Sequence, residues 1–375
     1  MIQKRAVFST ASDCRLFLTI VCLAAVQLLI DGEASASDWV QVARDGKGFI
    51  LSPSGKAFTP WGFNYDRDFK FRLIEEYWNT NWGKIEQDFA EMKKLGANVV
   101  RVHLQFAKFM KSADMPNDEN LQRLGQLLNL AEKTGLYLDI TGLGSYRKED
   151  SPVWYDSMSE KDRWTAQSRF WEAIARTCAD QPAVWCYDLM NEPLVSGDKQ
   201  SEWIHPFTIE NLHYLQYVNL DPAGRDRTDI ARGWTHHMVQ AIRKYDQRHL
   251  ITIGLVMVAV GKPEEAAGFG PAKIGSELDF ISVHFYPQAG SFGQWTDVLE
   301  RCGWTGKPVV IEEIFPMNCS AEALGNFIER TRGLACGWIG FYWGQTPDEL
   351  RLSQTPRDQA TRGWLELFQR MNPNR

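Results

Sequence analysis

The sequence predicts an α/β fold: a single-domain (β/α)8 TIM barrel entered through a short N-terminal β-hairpin. Three observations carry that expectation. A short β-rich run followed by an amphipathic helix recurs eight times between residues 58 and 371. The rival, an open doubly wound sheet, has no reason to stop at eight units, and no GxGxxG or GxxxxGKS/T phosphate loop is present. No low-complexity linker divides the chain, whose 375 residues suit one large barrel as well as two smaller domains.

The elements follow in order. Lys4, Arg5 and Arg15 flank the apolar run "LFLTIVCLAAVQLLI", and "ASA" at 34–36 fits a small-residue cleavage site. Residues 1–36 therefore read as a signal peptide cleaved near Ala36, which implies a secreted or periplasmic domain over 37–375. An uncleaved anchor is the alternative, although the run is shorter than the ~20 residues a membrane span needs. Next, "DGKG" and "SPSG" mark turns between short β-like runs, the expected hairpin.

Candidate barrel strands are 58–64, 98–104, 136–142, 184–190, 249–255, 279–286, 308–313 and 337–343. Helical periodicity fills the gaps. Ile85, Phe89 and Met92 share one face, as do Leu121, Leu124, Leu128 and Ala131. Further helices fit 166–180, 226–246, 292–302, 320–335 and 357–371, while 260–277 is a poor and short one. The longest interruption, 191–225 after strand four, carries Trp203, His205, Phe207, Tyr214 and Tyr217. Loops at that end of a barrel form the active-site face, so this loop is expected to wall a cleft.

Composition narrows the chemistry. A net charge of −6 without a long basic run argues against a nucleic-acid partner. The 15 Trp residues suit flat stacking surfaces as well as a large-residue core. Signal cleavage would remove Cys14 and Cys22; Cys178, Cys186, Cys302, Cys319 and Cys336 remain, with no CxxC or metal-like spacing. No disulfide framework is expected, and one bridge stays open. The histidines carry no HExxH-type pattern, so no metal and no organic cofactor is implied.

Polar side chains gather at the expected strand ends: Arg101 and His103 on strand two, Asn191 and Glu192 on four, His284 and Tyr286 on six, Glu312 and Glu313 on seven, Trp343 on eight. Glu192 and Glu313 are distant in sequence yet fall on one face. Two facing carboxyls suit glycoside hydrolysis, which needs one acid to protonate the leaving oxygen and one carboxylate to attack carbon or activate water. Adjacent strand residues point to opposite faces, so only one of Glu312 and Glu313 should face the mouth. Parity does not choose, because Val310 and Ile311 are both apolar.

Five motifs now carry a resemblance. "YDLMNEP" (187–193), "ISVHFYP" (281–287), "KPVVIEEIF" (307–315), "NVVRV" (98–102) and "GFYWG" (340–344) resemble, in order, the strand motifs of glycoside hydrolase family 5, a clan A family of cellulase- and mannanase-like glycosidases. The resemblance implies a retaining β-glycosidase acting by double displacement on a β-linked glucan, mannan or derived oligosaccharide. It implies Glu192 as acid/base and Glu313 as nucleophile, leaving Glu312 to point outward toward helices or loops. Arg101 would orient the nucleophile, Asn191 would bind the sugar 2-OH, and His284 and Tyr286 would contact the two acids. Trp343 would floor the sugar site. Asn64, Tyr65, Tyr146, Trp154 and Trp203 are further candidates for substrate contact, and His103 is expected to be a satisfied barrel histidine. The family's histidine at the end of strand three has no counterpart in "LDITGLGSYRKED"; Tyr146 or His103 is expected to fill that space. The expected partner is a carbohydrate, with no stable membrane association after cleavage. A transglycosylase or an inactive carbohydrate-binding barrel are the alternatives.

Overall fold

The computed structural model describes residues 38–256, 268–341 and 343–374. The expected signal segment and its cleavage site lie outside the described residues.

Eight parallel strands close into a barrel, each pairing with the next in sequence and the eighth with the first. They are Trp61–Tyr65, Val99–Gln105, Tyr137–Gly144, Val184–Asn191, Leu250–Leu255, Ile281–Phe285, Val309–Ile314 and Trp338–Gly340, referred to as strands one to eight. Every residue in them is buried. That burial explains their near-continuous apolar runs: a parallel strand meets the lumen on one side and a helix on the other. Helices Trp82–Lys94, Asp118–Thr134, Glu160–Cys178, Arg227–Arg243, Phe292–Gly303, Ala321–Thr331 and Pro356–Arg370 form the outer ring. Several start on an oxygen that accepts a first-turn N–H: Ser159 from Asp162, Asp226 from Thr228, Ser320 from Ala323 and Thr355 from Asp358. Between strands five and six only one turn, Pro271–Ile274, and a 3-10 turn form among the described residues.

Most strand ends fall within two residues of expectation, and two differ by three. Strand one begins at Trp61, because Ala57–Phe58 pairs antiparallel with Phe49 and Ile50, and Pro60, with no N–H, separates the two ladders. Strand eight ends at Gly340, where its ladder with strand seven loses register.

Residues 38–58 form a three-stranded antiparallel sheet of Trp39–Val42, Phe49–Ser52 and Ala57–Phe58. It lies across the N-terminal end of the barrel. Phe49 meets Trp185 and Phe280 edge-on at 5.5 and 5.2 Å, and Phe58 meets Tyr137 at 5.1 Å. Trp185 and Tyr137 lie at the starts of strands four and three, and Phe280 just precedes strand six, so these rings plug the bottom. Six Trp residues, Trp61, Trp78, Trp171, Trp185, Trp234 and Trp364, are fully buried, which makes core packing their role. Cys178, Cys186 and Cys302 are buried, Cys319 and Cys336 partly so, and all five are unbridged. No helix among the described residues is long and apolar enough to cross a membrane.

Candidate active site

Strand seven decides the geometry. Val283 pairs with Ile311 and the next residue, His284, pairs with Glu313, so Glu312 has no opposite number on strand six. Toward strand eight, Ile311 pairs with Trp338 and Ile314 with Gly340, again one residue in excess. This β-bulge cancels the alternation of side chains. The expectation that Glu312 points outward is therefore corrected. Glu312 is fully buried in the lumen, accepts a bond from the Ser282 hydroxyl at 3.0 Å, and lies 3.3 Å from His284 Nε2 and 3.6 Å from Arg101 Nη2.

Strand four delivers the second carboxyl by a different device. Glu192 follows its last residue with φ of 48°, a left-handed conformation uncommon outside glycine. Its N–H bonds to the Gly254 carbonyl at 2.9 Å. Strained backbone of this kind costs about 1–3 kcal/mol and persists where the surroundings enforce it. His284 Nδ1 stands 2.9 Å from Glu192 Oε1 and 3.5 Å from Glu313 Oε2. Glu192, His284 and Glu313 each present one atom such that all three lie within 4.8 Å of one another.

Arg101 is the hub beneath them. Its Nη1 donates to Glu313 Oε1 at 2.6 Å and to Asn64 Oδ1 at 2.8 Å. Its Nη2 donates to Asp188 Oδ2 at 2.7 Å and to Asn191 Oδ1 at 3.0 Å. The Tyr286 hydroxyl donates to Glu313 Oε2 at 2.6 Å. Asn191 Nδ2 donates to the Tyr214 carbonyl at 3.1 Å. His103 sits between the Tyr146 hydroxyl at 2.5 Å and Asn64 Oδ1 at 3.2 Å. Burial first, then the charges of Arg101 and His284, hold its pKa well below the usual value, so His103 is neutral. Its partners fix the tautomer: Nε2 donates to Asn64, and Nδ1 accepts from Tyr146.

Not every candidate joins this group. Trp203 is buried outside it, over the Arg163 guanidinium at 4.5 Å, with its indole N–H on the Asp156 carbonyl. Tyr65 faces the helix ring, donating to Asp88 Oδ2 at 2.6 Å, and Trp154 packs against Phe106 and Tyr155. Their indole and phenol groups are occupied in packing the layers behind the site. Trp343 is buried on strand eight's side of the mouth, 5.5 Å from the Phe63 ring.

Three lumen residues were missed in the sequence: Asp139, Asp188 and Ser282. The signal was present, because "LDIT" and "YDL" each place one acid inside an apolar strand, and buried acids need partners. Asp139 is the odd one. No donor reaches either of its oxygens. Burial, then the charge of Glu312, pushes its pKa well above the ordinary carboxyl range. Asp139 is thus neutral, a hydroxyl donor available to the Glu312 carboxylate. Burial also pushes Glu312 up, but Arg101, His284 and Asp139 prevail and hold it at about 2.

Burial disfavours a charged His284, yet Glu313, Glu192 and Glu312 surround it and raise its pKa to about 10. An imidazolium has no lone pair for a metal, which disfavours the Glu192–His284–Glu313 group as a cation site. For Glu313, burial pushes the pKa up, His284 and Arg101 pull it back, and Glu192 pushes it up again, for a net rise.

Residues 63–346 match the family described as cellulase (glycosyl hydrolase family 5). A probable mannan endo-1,4-β-mannosidase A-1 from Aspergillus terreus is 23% identical over 340 residues, covering 78% of this chain and 79% of that protein. Four other fungal mannan endo-1,4-β-mannosidases, 22–25% identical, are matched over less than two thirds of their own length. Among solved structures, an exo-β-1,4-mannosidase from Opitutaceae bacterium strain TAV5 superposes with a TM-score of 0.62 at 16% identity, over 88% of this chain and 61% of that one. The endo-1,4-β-mannanase from Rhizomucor miehei gives 0.61 at 17% identity, over 89% and 99%.

Proposed function

Since the chain belongs to glycosyl hydrolase family 5 and is a glycoside hydrolase, we propose that it cleaves β-1,4-linked mannan-type or glucan-type chains with retention, by double displacement. The observation that carries the reading is the pair of carboxyl oxygens from Glu192 and Glu313 within 4.8 Å of each other at the barrel mouth. That spacing fits the ~5–5.5 Å of retaining enzymes and falls short of the ~6.5–9.5 Å that leaves room for water in inverting ones. The mannan relatives favour mannosides over glucosides.

Glu192, as the acid, gives a proton to the glycosidic oxygen as the bond to the anomeric carbon breaks. Glu313 attacks that carbon and forms an ester. Arg101 and Tyr286 donate to Glu313 and the His284 cation lies 3.5 Å away, an arrangement that favours the carboxylate needed for attack against the rise that burial and Glu192 impose. Esterification removes that charge, and Glu192, now a carboxylate, takes a proton from the water that cleaves the ester. His284 bridges both acids and steadies whichever one is charged. Asn191 and Trp343 border the sugar site around them, while Asn64 and Tyr146 brace Arg101 and His103 from behind. Export rests on residues 1–36 alone.

The test is hydrolysis of aryl β-mannosides and aryl β-glucosides, with the first-formed anomer followed by NMR. The β-anomer should appear first. E313Q should abolish turnover. E192Q should lower kcat/KM for substrates with poor leaving groups by roughly 10²–10⁴-fold and spare kcat/KM for dinitrophenyl glycosides, whose kcat should still fall because the ester loses its base. Undiminished turnover in E313Q would remove the nucleophile and with it the mechanism.

A further inference from the structure

The long segment after strand four does not simply edge a cleft. Gln216 Nε2 donates to the Leu143 carbonyl at 3.0 Å and the His213 N–H to the Tyr146 carbonyl at 2.9 Å, both beside strand three. The Tyr214 hydroxyl donates to Asp66 Oδ2 at 2.7 Å, just past strand one. Glu210 accepts from Arg67 at 3.3 Å and from Arg357 at 2.9 Å, and Arg357 opens the helix that follows strand eight. In a ring of eight, strand eight stands opposite strand four. The segment therefore spans the half of the mouth that contains strands three, two, one and eight.

It is held down as well as tied at its rim. Leu73, Tyr146, Leu212 and Tyr214 form a hydrophobic cluster separate from the barrel core, with Phe341 packed against it. The Tyr214 carbonyl reaches Asn191 Nδ2, so the roof descends to one hydrogen bond above the floor of the site. Side-chain exposure of Glu192 and Glu313 is only 12% and 5%.

A sugar chain must pass between Glu192 and Glu313, with the ring under attack on one side and the leaving group on the other. Trp343, the ring proposed to floor the attacked sugar, stands past the end of strand eight beside Phe63 of strand one, in the roofed half. We infer that the 195–220 segment ends the site behind that ring, so that the enzyme removes single sugars from the non-reducing ends of β-linked oligosaccharides. This inference rests on the glycosidase reading and adds where along a chain the cut falls.

The experiment uses manno- and cello-hexaose reduced to their alditols, alongside the aryl glycosides. Free monosaccharide and the pentaose alditol should appear first, with internal cleavage slower by at least roughly 100-fold, as expected of a site that excludes by shape. E210A, which unties the roof from Arg67 and Arg357, should raise the share of internal products several-fold; an unchanged product spectrum would remove the roof as the cause. Early di- and trisaccharides from the wild-type protein, while aryl glycosides are turned over, would overturn this inference and leave the glycosidase reading standing. Single sugars released from the alditol end would place the roof on the leaving-group side and overturn it equally. No turnover of any of these substrates would sink the glycosidase reading and this inference with it.

Discussion

Asp139 shows how much one proton can organise. Neutral, it offers a donor to the Glu312 carboxylate, Glu312 lies 3.3 Å from His284, and His284 touches both Glu192 and Glu313. Asn supplies an N–H donor in the same place, so D139N should fold and turn over aryl glycosides close to wild type. D139A leaves Glu312 short of a partner and should cost about 1–3 kcal/mol in urea unfolding. Equal losses in the two variants would show that the proton is not on Asp139. His284 makes a pH prediction with a definite sign. Its pKa rises from 6.5 in the unfolded chain to about 10 in the fold. The stability it contributes is fully present below pH 6.5 and is lost as pH climbs through 10. Across that interval the urea midpoint of wild type should fall more steeply than that of H284N. The groups that set the shift are Glu313, Glu192 and Glu312, opposed by burial and Arg101. Glu192 and Glu313 were legible in the sequence as carboxyls at strand ends. The lumen acids behind them left a fainter mark, one acid inside each apolar run, and neither "LDIT" nor "YDL" shows which face of the strand that acid takes.

Strand seven explains why the reading of Glu312 failed while that of the barrel succeeded. Periodicity identifies a strand from its average pattern, and a bulge is one residue that breaks the pattern locally. Nothing in "PVVIEE" marks the extra residue, since both neighbours of the pair are apolar. Strand five contributes an equally local constraint. Gly254 donates its N–H to Asp188 Oδ1 at 2.7 Å and offers its carbonyl to Glu192. A Cβ there would stand 2.7 Å from His284 Nε2, 2.8 Å from Arg101 Nη2 and 2.9 Å from Glu312 Oε2. G254A should therefore cost about 1–3 kcal/mol in thermal unfolding and lower kcat/KM together with it. A variant with wild-type values in both would show that the polar cluster yields freely.

At the scale of the molecule, the two ends of the barrel do different work. The bottom is plugged by the N-terminal sheet through Phe49 and Phe58. F49A should destabilise the fold by about 3–5 kcal/mol and leave KM for aryl glycosides unchanged, because the plug lies at the far end from the acids. A shift in KM would mean that the plug tunes the mouth through the strands. The alternation of strands and helices was plain from the sequence because each unit repeats one pattern. The third strand of the plug was not, since Phe58 sits two residues from Pro60 and reads as the start of the next strand. The path of the 191–225 segment was equally hidden, because its anchors are polar contacts with residues remote in sequence.

The unbridged cysteines have a consequence for how the molecule can be made. Cys178 and Cys186 are closed off from water, and burial raises both thiols above their ordinary range, so neither offers a thiolate to an oxidant. The described barrel draws nothing from sulfur cross-links. Dithiothreitol should not loosen it, and its assembly asks for no oxidase or isomerase, whatever the redox poise of the compartment in which it is produced.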